Sequence, residues 1–119
     1  MLAETMRAHV DSQAAHTGFG RLLQQTGNLT RAEAEFREAV RLRPDSLSTQ
    51  LDLASLLERM HKHAEAAEHY RQALQIKPQH AGAHYHLGLC LRALGQKSQA
   101  AKELESAIKY QPDNAPAHG

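Results

Sequence analysis

The segment AGAHYHLGLCLRALGQKSQAAKELESAIKYQPDN (residues 81–114) decides the fold, because its pattern stands twice more before it. Moving back 34 residues lays it over LSTQLDLASLLERMHKHAEAAEHYRQALQIKPQH (47–80), and 34 more over QAAHTGFGRLLQQTGNLTRAEAEFREAVRLRPDS (13–46). The step carries Pro44 to Pro78 to Pro112, Ala32 to Ala66 to Ala100, and Ala39 to Ala73 to Ala107. It also carries Phe36 to Tyr70 to Leu104, Phe19 to Leu53 to Leu87, Leu23 to Leu57 to Leu91, and Gly20 to Ala54 to Gly88. A fixed period of this length over most of a chain means stacked, similar units.

Each unit has the marks of a helical hairpin. In 81–94 the residues Tyr85, Leu87, Leu91 and Leu94 recur at helical spacing, and Gly95 is a natural stop. The second half, 98–110, opens on Ser98 as an N-cap and closes before Pro112, which can neither donate an amide nor follow a helical residue comfortably. In the first unit Thr30 and Glu33 have the spacing of a capping box; the second has Ala64 in that column, so its second helix is expected to lack a cap. Gly20 and Gly88 lie inside predicted helices at a cost of about 0.8–1 kcal/mol each. That cost makes sense if they let two helices approach closely, with Ala32, Ala66 and Ala100 as small partners and Phe36, Tyr70 and Leu104 filling the space between turns.

Composition agrees. The 119 residues suit one domain, and good helix formers dominate while Val and Ile are scarce. A balance of 14 basic against 13 acidic side chains gives +1, which argues against nucleic acid and anionic membranes as partners. Apolar runs fall far short of a membrane span, and residues 1–12 lack the apolar stretch of a secretory signal. Cys90 is the sole cysteine, so no internal disulfide can form. The expected setting is the cytoplasm.

These repeats resemble the tetratricopeptide repeat (TPR) family, on the strength of Phe19, Gly20, Leu23, Ala32, Phe36, Ala39 and Pro44 and their counterparts. The column His16, Gln50, His84 departs from it, since the family often has Trp there; the column Leu23, Leu57, Leu91 departs too, with Leu in place of Tyr. The resemblance implies an all-α, right-handed superhelical solenoid of antiparallel helix pairs, with repeats at 13–46, 47–80 and 81–114. LAETMRAHVDS (2–12) aligns with FREAVRLRPDS (36–46), so residues 1–12 are expected to be the second-helix remnant of an earlier repeat. APAHG (115–119) aligns with AGAHY (81–85), as the start of a further repeat or a tail. On this view the chain is an excerpt of a longer array, and its open ends invite stacking with another copy.

The family also implies a concave face built from the first helices. Its outward positions here are Ala14, Thr17, Gly18, Arg21, Gln24 and Gln25; then Ser48, Leu51, Asp52, Ser55, Glu58 and Arg59; then Gly82, Tyr85, His86, Leu89, Arg92 and Ala93. The candidate binding residues are Arg21, Gln24, Gln25, Asp52, Ser55, Arg59, Tyr85, His86, Leu89 and Arg92. Arginines can pair carboxylates and Tyr85 offers a flat apolar contact, a mixture suited to an extended peptide. Chaperone-binding members grip a C-terminal carboxylate with Lys, Asn and Arg side chains; the matching places hold Thr17, Arg21, Asp52, Gly82 and His86, and Asp52 would repel such a tail. Binding of Hsp70 or Hsp90 tails is therefore not expected.

Nine histidines include the close set His80, His84 and His86 and the pair His61 and His63, but no nearby Cys or carboxylate completes a four-ligand site, so no metal is expected. No phosphate loop or nucleophile elbow occurs, and Cys90, flanked by Leu89 and Leu91, has the setting of a buried inert thiol. Carboxylates such as Glu33 and Glu38 have Arg37 and Arg41 at helical spacing, an ion-paired face. The expected function is a non-catalytic scaffold that binds a protein or peptide segment in its groove, without cofactor. The alternative is a substrate-recruiting array cut from a larger enzyme such as a glycosyltransferase.

Overall fold

A computed structural model describes the backbone of residues 2–111 and the side chains of residues 12–111. It contains six helices: α1 (Leu2–Gln25), α2 (Leu29–Leu42), α3 (Leu47–Arg59), α4 (His63–Ile76), α5 (Ala81–Ala93) and α6 (Lys97–Tyr110). No strand occurs among the described residues. Consecutive helices pair as α1/α2, α3/α4 and α5/α6, and each pair stacks on the next through α2/α3 and α4/α5. The radius of gyration, 15.8 Å, exceeds the roughly 13–14 Å of a globular chain of this size, as a linear stack requires. No helix is long and apolar enough to cross a membrane among the described residues.

The same turn closes all three hairpins. The amides of Asn28, Lys62 and Gln96 each bond back to the carbonyls of Leu23, Leu57 and Leu91 at 2.9 Å, a Schellman closure. That closure needs a left-handed residue, supplied by Gly27 (φ +89°) and Gly95 (φ +83°), and in the middle repeat by His61 (φ +60°), the one non-glycine so placed among the described residues. The second helices consequently start earlier than the capping pattern suggests. The α2 cap is Asn28, whose side chain accepts from the Arg31 amide, so Thr30 lies inside the helix; α6 starts at Lys97 after Gln96, so Ser98 does not cap it. The cap expected to be missing in the second repeat is missing: Lys62 precedes α4 with no side-chain bond.

The prolines act as expected. Helices α2 and α4 end at Leu42 and Ile76, two residues before Pro44 and Pro78, and Pro112 lies outside the described residues. Ser46 and His80, one period apart, then cap α3 and α5, accepting from the amides of Thr49 and Ala83. Residues 2–11 differ from the repeat alignment: they continue α1 without a turn. Val10 stands one period before Pro44, so nothing there breaks the helix. The tail at 115–119 lies outside the described residues.

The core follows the repeated columns. Ala32, Phe36, Ala39, Leu53, Ala54, Leu57, Ala66, Tyr70, Ala73, Leu87, Leu91, Ala100 and Ala107 are buried. A methyl group on Gly20 would stand 2.7 Å from the Phe36 ring, and one on Gly88 would stand 2.9 Å from Leu104 and 3.3 Å from the Ala100 carbonyl. Gly20 is thus matched by the aromatic ring rather than by Ala32, while Gly88 meets both of its expected partners.

The column where the family often has Trp carries a polar bridge instead. His16 Nδ1 lies 2.6 Å from Glu35, Gln50 Oε1 accepts from His69 Nδ1 at 2.8 Å, and His84 Nδ1 lies 2.7 Å from Glu103, always 19 residues apart. Gln50 Nε2 also donates to the Pro44 carbonyl (2.9 Å), and His84 Nε2 to that of Pro78 (2.8 Å), so in the second and third repeats the bridge also holds the loop that leads into the hairpin. On the outer helices, Glu33 joins Arg37 (2.7 Å) and Lys62 (2.9 Å), and Arg37 joins Glu65. Burial alone would raise the Glu33 carboxyl, but hydrogen bonds from Lys62 and Arg37 outweigh it and hold the group below its usual range.

Candidate functional site

The expected outward residues lie on α1, α3 and α5, and most of them are accessible. Arg21, Gln25, Ser48, Ser55, Arg59, Gly82, Tyr85 and Arg92 are exposed, and Gln24, Leu51, Asp52, Glu58, His86 and Leu89 are half-buried. Thr17 is the exception. It is buried and its hydroxyl donates to the Gln13 carbonyl one turn back, which removes it from the accessible set.

Two groups of side chains organise this face. At the α1/α3 junction, Arg21 donates to Asp52 through Nη2 (2.7 Å) and Nε (3.2 Å), and its Nη2 also reaches the Ser48 hydroxyl at 3.3 Å. Asp52 is therefore an ion-paired acceptor rather than a free negative charge. Gln13 adds a hydrogen bond from α1 to Thr49 of α3.

The second group centres on Glu58 of α3. The Tyr70 hydroxyl of α4 donates to Glu58 Oε1 at 2.8 Å, and His86 Nδ1 of α5 lies 3.1 Å from the same oxygen, off the line of a hydrogen bond. His86 stacks on Tyr70 with ring centres 5.5 Å apart and planes 12° from parallel. Tyr85 then meets the His86 ring edge-on at 5.1 Å and 74°. An aromatic series thus runs from the core at Tyr70 to the surface at Tyr85. Burial, and then the hydrogen bond to Glu58, push the Tyr70 phenol well above its usual range, so it remains a hydrogen-bond donor.

Glu58 stood among the expected outward positions but not among the candidate binding residues, and Tyr70 stood in neither set. Tyr70 occupies a column held elsewhere by Phe36 and Leu104, and a hydroxyl appearing in a buried apolar column needs a partner; that was the available signal. Cys90 is buried nearby, and burial followed by the Glu58 charge push its thiol up to about 12, so it is protonated and unreactive at neutral pH. The histidines have structural work: His80 caps α5, His84 bridges Pro78 and Glu103, and His86 faces Glu58. No group of three or more His, Cys, Asp or Glu side chains suited to a metal occurs among the described residues.

Comparison with known proteins bears on the fold. Two family models, both described as tetratricopeptide repeat, match residues 11–79 and 57–119. Among solved structures, MamA is similar at 21% identity and a TM-score of 0.81, over 87% of this chain and 61% of MamA. The first TPR of Spaghetti (RPAP3), bound to the HSP90 peptide SRMEEVD, is similar at 19% identity and 0.81, covering 91% of this chain and 86% of that one. The Yersinia enterocolitica type III secretion chaperone SycD, in complex with a peptide of the translocator YopD, is similar at 17% and 0.82, with 91% and 82% covered. A search of curated protein sequences finds no match. The chain spans about three fifths of the MamA chain.

Proposed function

Because the chain belongs to the tetratricopeptide repeat family, we propose that it is a non-catalytic, cofactor-free scaffold that binds an extended protein or peptide segment across α1, α3 and α5. The observation that carries this reading is the aromatic series ending at Tyr85. A surface ring backed by His86 and the buried Tyr70 is held in place before any ligand arrives, so little side-chain freedom is lost on binding. Arg21, Arg59 and Arg92 are exposed on α1, α3 and α5, and arginine forks suit carboxylates along a ligand. Peptides held by SycD and by the Spaghetti repeat support the use of this architecture for such ligands. An internal segment with acidic and apolar residues fits better than a terminal carboxylate, because Asp52 and Gly82 stand where the chaperone-tail clamp has an amide and a cation. The setting we propose is cytoplasmic.

The test is selection of ligands from a random peptide library, followed by affinity measurements on variants. Arg21→Glu with Arg92→Glu should weaken a selected peptide by about tenfold or more while the helical spectrum is retained. Unchanged affinity with both charges reversed would move the site off this face.

A further inference from the structure

The 34-residue register lets each position be compared with its equivalents in the other repeats. Phe19 and Leu22 of α1 are 40% and 56% exposed, whereas their equivalents Leu53, Leu87, Leu56 and Cys90 are each at most 2% exposed. In the second and third repeats, therefore, these columns are covered by the hairpin before them. The other end of the stack shows the complement. Tyr85 is 47% exposed and Leu104 half-buried, although Phe36 and Tyr70 in the Leu104 column are fully enclosed. Ala81, Gly82, Tyr85, Leu104 and Ala107 line an open, mainly apolar cavity of about 570 Å³ between α5 and α6. The matching residues of the second repeat, Leu47, Leu51, Tyr70 and Ala73, are part of the core or packed against it, at the junction where α5 docks.

We propose that these two surfaces are halves of one interface, and that a second copy of this chain docks its Phe19/Leu22 face into the α5/α6 groove. The occupant is a second copy because the protruding face is of the same repeat type as those filling the internal grooves. The joint would continue the α2/α3 and α4/α5 stacking already present within the chain, and it would cover Tyr85, which then serves a ligand only on an unstacked or terminal copy. Charge supports the same register. Inside the chain, Arg37 pairs with Glu65 across the first repeat junction. The equivalent positions across the joint are Glu105 on one copy and Arg31 on the next, again opposite in sign and both exposed. The contact is head-to-tail and uses different surfaces on the two partners, so it propagates instead of stopping at a dimer.

Sedimentation of the 119-residue chain from about 1 µM to about 1 mM tests this. The average mass should climb steadily above the 13.2 kDa of one chain, without a plateau at two. Leu22→Glu spoils the protruding face. Ala81→Glu spoils the groove while placing a carboxylate where a helix N-terminus favours it. Each variant alone should remain monomeric at concentrations where the parent assembles. Mixed in equal amounts, they should give a dimer and nothing larger, because only one intact face and one intact groove remain. Arg31, whose guanidinium lies 5.3 Å from the Phe19 ring centre, and Glu105 give a second check: Arg31→Glu and Glu105→Arg should each weaken association several-fold, and a chain carrying both should recover it. A parent chain that stays monomeric, a mass that levels off at two chains, or a mixture no larger than its components would overturn the proposal. Circular dichroism on every variant excludes loss of fold as the cause.

Discussion

Two glycines of α1, Gly18 and Gly20, allow the close-packing argument to be isolated in one helix. Alanine at either position should gain the same intrinsic helix preference, about 0.8–1 kcal/mol. Their surroundings differ: a methyl group on Gly18 would meet nothing within 4 Å, while one on Gly20 would stand 2.7, 2.8 and 3.1 Å from three atoms of the Phe36 ring. Comfortable carbon contacts begin near 3.5 Å, so the ring would have to retreat by about 0.8 Å. Phe36 is fully enclosed, so any retreat pushes it against other core side chains. Overpacking of this kind costs about 1–3 kcal/mol. Gly18→Ala should therefore stabilise the chain by about 1 kcal/mol, and Gly20→Ala should be neutral to about 2 kcal/mol destabilising. The helix preference cancels in the comparison, so the difference of about 1–3 kcal/mol measures the overpacking alone. Urea unfolding followed by far-ultraviolet circular dichroism gives both values. Equal midpoints for the two variants would refute the close approach, as would a Gly20→Ala penalty that persists undiminished when Phe36 is shortened to Leu.

Two further outcomes follow from the turns and from the buried polar column. His61→Gly should raise stability by about 0.5–1 kcal/mol, since left-handed geometry costs a side chain about 1–2 kcal/mol and glycine's greater freedom when unfolded returns part of the gain; an unchanged or lower urea midpoint would count against strain at this turn. Burial first, and then Arg37, lower the His69 pKa from 6.5, with Glu65 and Glu68 opposing. The unfolded chain then binds the proton more readily, so the His69 contribution is complete above about pH 6.5 and fades as the pH falls below it. His69→Gln should flatten the stability profile between about pH 6.5 and pH 5, and an unaltered slope would remove His69 as a source of acid sensitivity.

The hairpins were legible because their determinants sit in single columns. Pro44 and Pro78, the Ala32 and Ala39 columns, and Gly20 and Gly88 each act on neighbours within one repeat, so a one-dimensional alignment exposes them. The helix starts were misjudged because Thr30 and Glu33 imitate a cap. The real signal was the column Gly27, His61, Gly95, interrupted by a histidine in a conformation that favours glycine. Solvent exposure at the expected outward positions was legible apart from Thr17, whose hydroxyl turned back on its own helix. Pairings across repeats were not: Arg21 with Asp52 joins two helices 31 positions apart, and Glu58 meets Tyr70 and His86 only once two hairpins have stacked. Such contacts depend on the pitch of the stack, which no single column encodes.

The polar bridge at His16, Gln50 and His84 carries a mechanical consequence. A hydrogen bond is directional and weakens steeply once its angle is spoiled. Because Gln50 and His84 grip the carbonyls of Pro44 and Pro78, tilting α3 or α5 against the loop that leads into it strains those bonds. The seating of α3 and α5 on the loops before them is thus stiffened by oriented dipoles, and a ligand that needs either helix to tilt would have to break them.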